Sequence, residues 1–123
     1  MQVLIVDGAN VVGSRPDGWW RDRAGAAQRL HDQLSAAELP EDEIVLVLEG
    51  QARRGPHADR QARLRTVHAD GSGDEAIVDE VRRQVAVGDG RGVVVVTADR
   101  RLRDRVEEAG ASGRSPTWLL DRL

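Results

Sequence analysis

Acidic residues recur in this sequence where an apolar run stops or where a periodic, helix-like segment begins. They are Asp7, Glu49, the pair Asp74 and Glu75, and Asp99. Carboxylates that are brought close together repel one another, and an oxygen-only cluster of this kind suits a hard divalent cation such as Mg²⁺ or Mn²⁺. Such a cation lowers the pKa of water and neutralises charge on a phosphate during hydrolysis. The pattern predicts phosphoester chemistry if these positions meet in the fold.

Each acid also has a purely structural interpretation. Asp99 precedes a predicted helix and is a natural N-cap, while Asp74 and Glu75 lie in a predicted first turn, where the helix dipole favours anions. Asp7 and Glu49 are each followed by glycine and could belong to ordinary turns. For any single residue these interpretations compete evenly with metal binding. The convergence of all four positions favours a site.

Parallel strands are what would bring these acids together. Apolar runs predict strands at residues 2–6, 43–48, 64–69 and 92–97, and helical spacing predicts helices at 22–38, 74–87, 99–109 and 117–123. This alternation is typical of one α/β domain over residues 1–123 with a mostly parallel sheet. Ligands bind at the carboxyl ends of such strands, where the acids are expected. Asn10, three residues past Asp7, could bond a substrate phosphate, a metal-bound water or its own turn.

Composition excludes several other chemistries. The 123 residues include 18 basic and 21 acidic side chains, a formal net charge of −3, and no cysteine. Disulfides, thiolate zinc sites and cysteine nucleophiles are therefore excluded. The three histidines lack metal-ligand spacing, and the sequence contains no P-loop, no Rossmann glycine motif and no nucleophile elbow. Its apolar runs are too short to cross a bilayer and no export signal precedes the first strand, so we expect a cytoplasmic protein without membrane contact.

The basic residues, all of them arginine, suggest where a polyanion could bind. The densest cluster follows the second predicted strand and contains Arg53, Arg54, Arg60 and Arg63. These side chains predict a track for RNA phosphates, with an ordinary solvated face as the alternative. Trp19 lies in the loop after the first strand and could stack on an unpaired base or pack into the core. We predict an RNA-binding surface composed of these five residues.

Four segments together resemble the NYN domains of the PIN-like superfamily, nearest the YacP-like ribonucleases. They are VDGAN at 6–10, VLEG at 47–50, SGDEAIVDEV at 72–81 and VVVVTADRRLRDRV at 93–106. The resemblance covers nearly the whole chain as a single NYN/PIN-like domain. It implies a three-layer α/β/α fold and an Mg²⁺- or Mn²⁺-dependent endoribonuclease acting on single-stranded or structured RNA. It also implies association with the ribosome or mRNA, and it leaves a homodimer open.

The resemblance assigns roles to individual residues. Asp7, Asp74 and Asp99 correspond to the catalytic acids that bind metal, and Asn10 corresponds to the polar residue beside the first acid. Glu75 matches a second acidic position of some members. With these residues, hydrolysis would leave a 5′-phosphate and a 3′-hydroxyl.

The sequence departs from the YacP-like pattern at two positions. Ala9 stands where an aromatic residue is usual, and Glu49 stands where aspartate is usual; Glu49 remains a candidate for orienting water or holding a second ion. A catalytically silent RNA-binding or interaction module is one alternative, and a nucleotide phosphohydrolase that uses the same acids is another. A long RNA would need the arginine surface, whereas a nucleotide would not.

Overall fold

Six strands form one sheet with β1 at its interior, and the computed structural model describes the whole chain from Met1 to Leu123. The strands are β1 (Gln2–Asp7), β2 (Glu43–Leu48), β3 (Arg60–Gln61), β4 (Leu64–His68), β5 (Gly92–Val96) and β6 (Ser112–Arg114). Their order across the sheet is β3-β4-β2-β1-β5-β6, and every neighbouring pair is parallel except β3 with β4. The predicted α/β fold with a mostly parallel sheet is confirmed.

Five helices cover the two faces of this sheet. They are α1 (Gly8–Gly13), α2 (Arg23–Ala36), α3 (Gly73–Ala86), α4 (Arg100–Glu108) and α5 (Pro116–Leu120). Buried side chains of α1, α2 and α5 form one hydrophobic core with one face of the sheet, and those of α3 and α4 form a second core with the other face. The three-layer arrangement follows from these two cores. None of the helices combines the length and the apolar character needed to span a membrane.

The interiors of the central strands β1 and β2 are continuous apolar runs because both of their faces are covered. In β1, Leu4 and Val6 contribute to the first core, whereas Val3 and Ile5 contribute to the second. Successive side chains of a strand point to opposite faces, so a strand buried on both sides shows a continuous apolar run instead of alternation. All six residues of β2 are buried for the same reason.

Three elements were not predicted from the sequence. The short helix α1 begins directly after β1, within the segment assigned to a turn, and β3 is only two residues long. Strand β6 contains no large apolar residue and forms by parallel pairing with β5. Its Gly113 passes close beneath Arg103, where a Cβ atom would lie 2.7 Å from the Arg103 side chain. Pairing and close approach are tertiary effects, which explains why the sequence pattern does not show them.

The strand order reverses beside β1. The chain passes from β1 to β2 and then to β4 on one side, and it later returns to β5 on the other side of β1. A reversal of this kind leaves a cleft at the carboxyl ends of the two strands that flank it, here β1 and β5. The candidate site lies at this end of the sheet.

Candidate active site

Asp7 is the most buried of the predicted site residues. It is the last residue of β1, and only 4% of its surface is exposed. Its carboxylate accepts hydrogen bonds from the Asn10 backbone N–H at 3.3 Å, the Asn10 side-chain amide at 2.8 Å and the Thr97 hydroxyl at 2.8 Å. Burial raises the pKa of Asp7 above its ordinary value, while the bonds from Thr97 and Asn10 partly oppose the increase and the nearby charge of Asp74 adds to it.

Thr97 and Asn10 join the ends of β1 and β5 across the cleft. The fully buried Thr97 hydroxyl donates to Asp7 and accepts from the Asp99 backbone N–H at 3.1 Å. Asn10 donates to Asp7 and accepts from the Ala98 backbone N–H at 3.3 Å. Asn10 was predicted as a site residue, whereas Thr97 was not. The signal for Thr97 was its place directly after β5, because a polar residue at the end of a buried strand faces the same cleft as Asp7.

Asp99 is the N-cap of α4, as its structural interpretation predicted. One oxygen, Oδ1, accepts from the backbone N–H groups of Arg101 at 2.9 Å and Leu102 at 3.2 Å. The second oxygen, Oδ2, makes no hydrogen bond within the protein. Capping therefore uses only half of the carboxylate.

The side chain of Glu49, the residue after β2, reaches the start of α3, where Asp74 lies in the first turn. The Glu49 Oε2 atom accepts from the Gly73 backbone N–H at 2.7 Å, and a Cβ atom at Gly73 would lie only 3.2 Å from that carboxylate. Ser72 caps the same helix by accepting from the Asp74 backbone N–H. The half-buried Asp74 carboxylate accepts no hydrogen bond. Partial burial raises the pKa of Asp74, and the nearby carboxylates of Asp99 and Glu49 raise it further.

Glu75 points away from this group, contrary to its predicted role as a metal ligand. Its carboxylate forms an ion pair with Arg105 of α4 at 2.9 Å, and this pairing lowers the pKa of Glu75. Successive helical residues point about 100° apart. Asp74 therefore faces the other acids, whereas its neighbour Glu75 faces α4.

The donor chemistry of the remaining four acids fits a divalent cation. Asp7, Glu49, Asp74 and Asp99 all lie at the carboxyl end of the sheet, where burial raises the pKa values of Asp7 and Asp74 and neighbouring carboxylates raise them further. No three Asp, Glu or His side chains are close enough to hold an ion by themselves. Mg²⁺ commonly binds through one or two carboxylates and keeps several waters, so it does not require such a group. Metal binding stays a prediction.

Comparison with solved structures identifies the fold. Two crystal structures of Rae1 (YacP) from Bacillus subtilis match this chain over 98% of its length. A tryptophan-to-leucine mutant gives a TM-score of 0.75 at 20% identity, and a second structure gives 0.66 at 19%; the match covers 74% and 72% of those chains. The chain has a YacP-like fold. No protein-family model matches the sequence, and no curated protein matches it.

The predicted arginine track is divided between opposite edges of this YacP-like fold. Arg53 stays at the carboxyl edge, where it donates to the backbone carbonyl of Ala69 at 3.3 Å, and Arg54 is exposed beside it without an ion pair. Arg60 forms an ion pair with Glu43, the first residue of β2, at 2.8 Å. The segment after β2 crosses the whole sheet before β4 begins, and this crossing carries Arg60 away from the acids.

Arg63 has a structural role at the amino edge of the sheet. Its guanidinium donates to three backbone carbonyls that follow α2, those of Ala37 at 2.8 Å, Glu41 at 2.7 Å and Leu39. Arg60 and Arg63 therefore lie away from the acidic site where the sequence placed them, and their role in RNA binding stays a prediction. Only Arg53 and Arg54 of the predicted track lie near the site.

Trp19 is half-buried beside the candidate site, and its predicted stacking on an RNA base stays a prediction. It packs against the first core and also lines a cavity of about 400 Å³ beside the acids. The neighbouring Trp20 is 55% exposed, with its ring edge-on to Trp19 at a centroid distance of 6.0 Å. Arg23, which was not predicted as a site residue, also lines the cavity, and its guanidinium lies 5.0 Å from the Trp19 ring centroid. Helical periodicity alone could not place Arg23 there.

Proposed function

We propose that the protein is a divalent-metal-dependent endoribonuclease. The observation that carries the proposal is the buried Asp7 carboxylate at the point where the strand order reverses, with Asp74 contributing to its raised pKa. Buried acids with raised pKa values in a cleft are characteristic of catalytic sites. The YacP-like fold and the sequence resemblance to YacP-like ribonucleases support hydrolysis of RNA phosphodiesters as the reaction class.

Asp7, Asp74 and Asp99 would hold Mg²⁺ or Mn²⁺, with Glu49 as a fourth carboxylate at the same edge. When bound, the cation supplies positive charge that polarises water and offsets charge on the phosphate during hydrolysis. Overall, one water is added across a phosphodiester, which leaves a 5′-phosphate on one product and a 3′-hydroxyl on the other.

The protein's own side chains hold this arrangement in place. Thr97 fixes Asp7 by donating to Oδ2, and Asn10 holds both Asp7 and the backbone at Ala98. The rigid cleft thus orients the carboxylates before RNA binds, which lowers the cost of ordering them during the reaction. Arg53 and Arg54 are the cations nearest to this edge from the predicted track, and they would contact phosphates on either side of the cleaved bond.

A cleavage assay tests the proposal. Purified protein is incubated with end-labelled single-stranded RNA in Mn²⁺, in Mg²⁺ and in EDTA, and the products are separated on a gel. We expect internal cleavage with either metal and none in EDTA. Asp7→Asn and Asp74→Asn should abolish it. Glu75→Gln is the matched control, because Glu75 adjoins Asp74 on α3 but pairs with Arg105, and this variant should retain activity.

The alternatives give different results in the same assay. Binding of RNA without cleavage in any metal would indicate a catalytically silent RNA-binding module. Hydrolysis of mononucleotides with no cleavage of the RNA would indicate a nucleotide phosphohydrolase. Full RNA cleavage by Asp7→Asn would show that the active site lies elsewhere or that a contaminating nuclease is present.

A further inference from the structure

The cavity lined by Trp19 opens at the same edge of the sheet as the acids. Gly8, the residue after Asp7, and Glu49 both line it, together with Leu48 and the first turn of the segment after β2. Its volume is about 400 Å³, within the range of small-molecule sites. A ligand in this cavity would therefore lie directly beside the proposed cleavage site.

An aromatic ring and a cation form one wall of the cavity. Trp19 is held by a 3₁₀ turn, Trp19–Arg21, that follows Gly18 in a left-handed conformation with φ of 73°. The inner part of the Trp19 ring packs against the first core, which fixes its orientation. Arg23, in the first turn of α2, places its guanidinium 5.0 Å from the ring centroid. This wall is thus an aromatic ring of fixed orientation with a guanidinium over one of its faces.

Other residues that line the cavity are partly polar. Glu49 provides a carboxylate, Gln51 provides a side-chain amide, and Ala52 provides a small apolar surface. A purely aliphatic ligand would offer no hydrogen bond to the Arg23 guanidinium or to Glu49 Oε1, which accepts none within the protein. A planar ring with hydrogen-bonding edges satisfies the apolar surface and the polar groups together. A nucleobase has these properties.

We propose that this cavity binds one unpaired base of single-stranded RNA, stacked on Trp19, next to the nucleotide whose phosphate meets the acids. The inference rests on the proposed function, because it takes the acidic edge as the position of the phosphate. Stacking of unpaired bases on aromatic side chains is a common mode of single-strand recognition and tolerates different bases. Arg23 contacts the same nucleotide through its phosphate or the face of its base.

The test uses binding, which does not depend on cleavage. Fluorescence anisotropy measures the affinity for a short labelled single-stranded RNA in EDTA, and again in Ca²⁺ to reduce repulsion between the carboxylates and the phosphates. A series of oligomers carries one abasic site, moved along the strand. We expect one position at which loss of the base weakens binding by about tenfold, the effect of one lost stacking contact.

Two variants locate this effect. Trp19→Leu removes the stacking surface, and Ala52→Phe fills the cavity while keeping Trp19. Either should weaken binding of the intact oligomer by about tenfold and make the sensitive abasic position neutral. Trp20→Leu is the matched control, because Trp20 is the adjacent, more exposed tryptophan and does not line the cavity. The affinity of this variant for the intact oligomer should change less than twofold. Thermal melts verify that each variant is folded.

The outcomes separate this inference from the proposed function. Equal sensitivity at all abasic positions, unchanged by Ala52→Phe, would overturn the base-binding cavity even if the protein cleaves RNA. Undetectable binding of every oligomer in both buffers would also overturn it. Base-dependent binding that disappears in both variants, without cleavage in Mn²⁺, would support the cavity and refute the nuclease. The abasic series on the unmodified protein decides the question if both variants fail to fold.

Discussion

Removing the Thr97 hydroxyl measures how much its hydrogen bond to the ionised Asp7 carboxylate contributes to the free energy of unfolding. Thr97→Val preserves the shape of the side chain and removes one hydroxyl that is fully buried. That hydroxyl donates to the Asp7 carboxylate and accepts from the Asp99 backbone N–H. The substitution therefore leaves a buried carboxylate with one donor fewer and the Asp99 N–H without its acceptor.

The expected loss of stability follows from these two bonds. A hydrogen bond to a charged group contributes roughly 1.5–3 kcal/mol, and an orphaned buried donor adds to the cost when its partner is removed. We expect Thr97→Val to lower the free energy of unfolding by about 2–3 kcal/mol. In a domain of this size, each kcal/mol lowers the melting temperature by roughly 3–5 °C, so the expected shift is about 6–15 °C.

Thr66 provides the matched control. It lies in β4, is only 3% exposed, and its hydroxyl has no hydrogen-bond partner. Thr66→Val makes the same chemical change at a similar depth but removes an unsatisfied group. Its stability should stay the same or increase by up to about 1 kcal/mol. Urea unfolding of both variants and the unmodified protein at neutral pH measures this difference.

The pH dependence of the destabilisation by Thr97→Val tests whether the lost hydrogen bond to Asp7 causes it. The bond from Thr97 lowers the pKa of Asp7 against the effect of burial, so Thr97→Val should raise that pKa further. The destabilisation should be largest above the Asp7 pKa, where the carboxylate is ionised, and should decrease as the pH falls and Asp7 becomes protonated. Equal effects of Thr97→Val and Thr66→Val at neutral pH, or a cost independent of pH, would refute this account.

Three further predictions test the remaining assignments. Burial gives Asp7 a higher pKa in the folded state than in the unfolded state, so stability falls as the pH rises between these two values; Asp7→Asn should lack this decline in pH-dependent melts. Arg63→Ala removes a guanidinium that donates to three carbonyls and should cost roughly 2–4 kcal/mol in urea unfolding, with little change in RNA affinity. Replacing Arg53 and Arg54 with alanine should reduce the salt dependence of single-strand binding by about 0.7 in log–log slope per lost phosphate contact, whereas Arg60→Ala should leave that slope unchanged.

The sheet could be predicted from the sequence because its central strands are continuous apolar runs. The runs at 2–6, 43–48 and 92–97 match β1, β2 and β5 to within one residue. Parallel pairing then followed from the alternation with helices, and it placed Asp7, Glu49 and Asp99 at one edge. The N-cap role of Asp99 was also predicted, because this residue precedes a clear helical pattern.

The route of the chain between β2 and β4 could not be predicted in the same way. Parallel pairing of β2 with β4 requires residues 49–63 to return from the carboxyl edge to the amino edge. Because these residues contain no apolar periodicity, the sequence did not show where each arginine lies along this path. The crossing explains why Arg53 remains near the acids while Arg60 pairs with Glu43 and Arg63 caps the carbonyls after α2. The density of arginines in a sequence therefore does not establish a continuous surface.

The separate roles of Asp74 and Glu75 depend on the helical phase of α3. Adjacent acids in a first turn look equivalent in sequence, since both interact favourably with the helix dipole. The structure distinguishes them because Arg105 on α4 pairs with Glu75, while Asp74 faces Glu49 and Asp99. Knowing which residue faces the site requires the packing of α3 against α4, which no local pattern encodes.

Capping and metal binding, which compete as interpretations of single residues, are compatible in this arrangement. Asp7, Glu49 and Asp99 each accept a backbone N–H at the start of a helix, α1, α3 and α4 respectively. These bonds fix three carboxylates during folding, yet Glu49 Oε1 and Asp99 Oδ2 accept no hydrogen bond. Of the four acids, only Asp74 accepts no hydrogen bond through its carboxylate, and it forms no ion pair. An ion that entered the cleft would have to order only the Asp74 side chain. The hydrogen bonds to the helix starts already restrict the other three side chains, so the entropy cost of ordering them is part of folding.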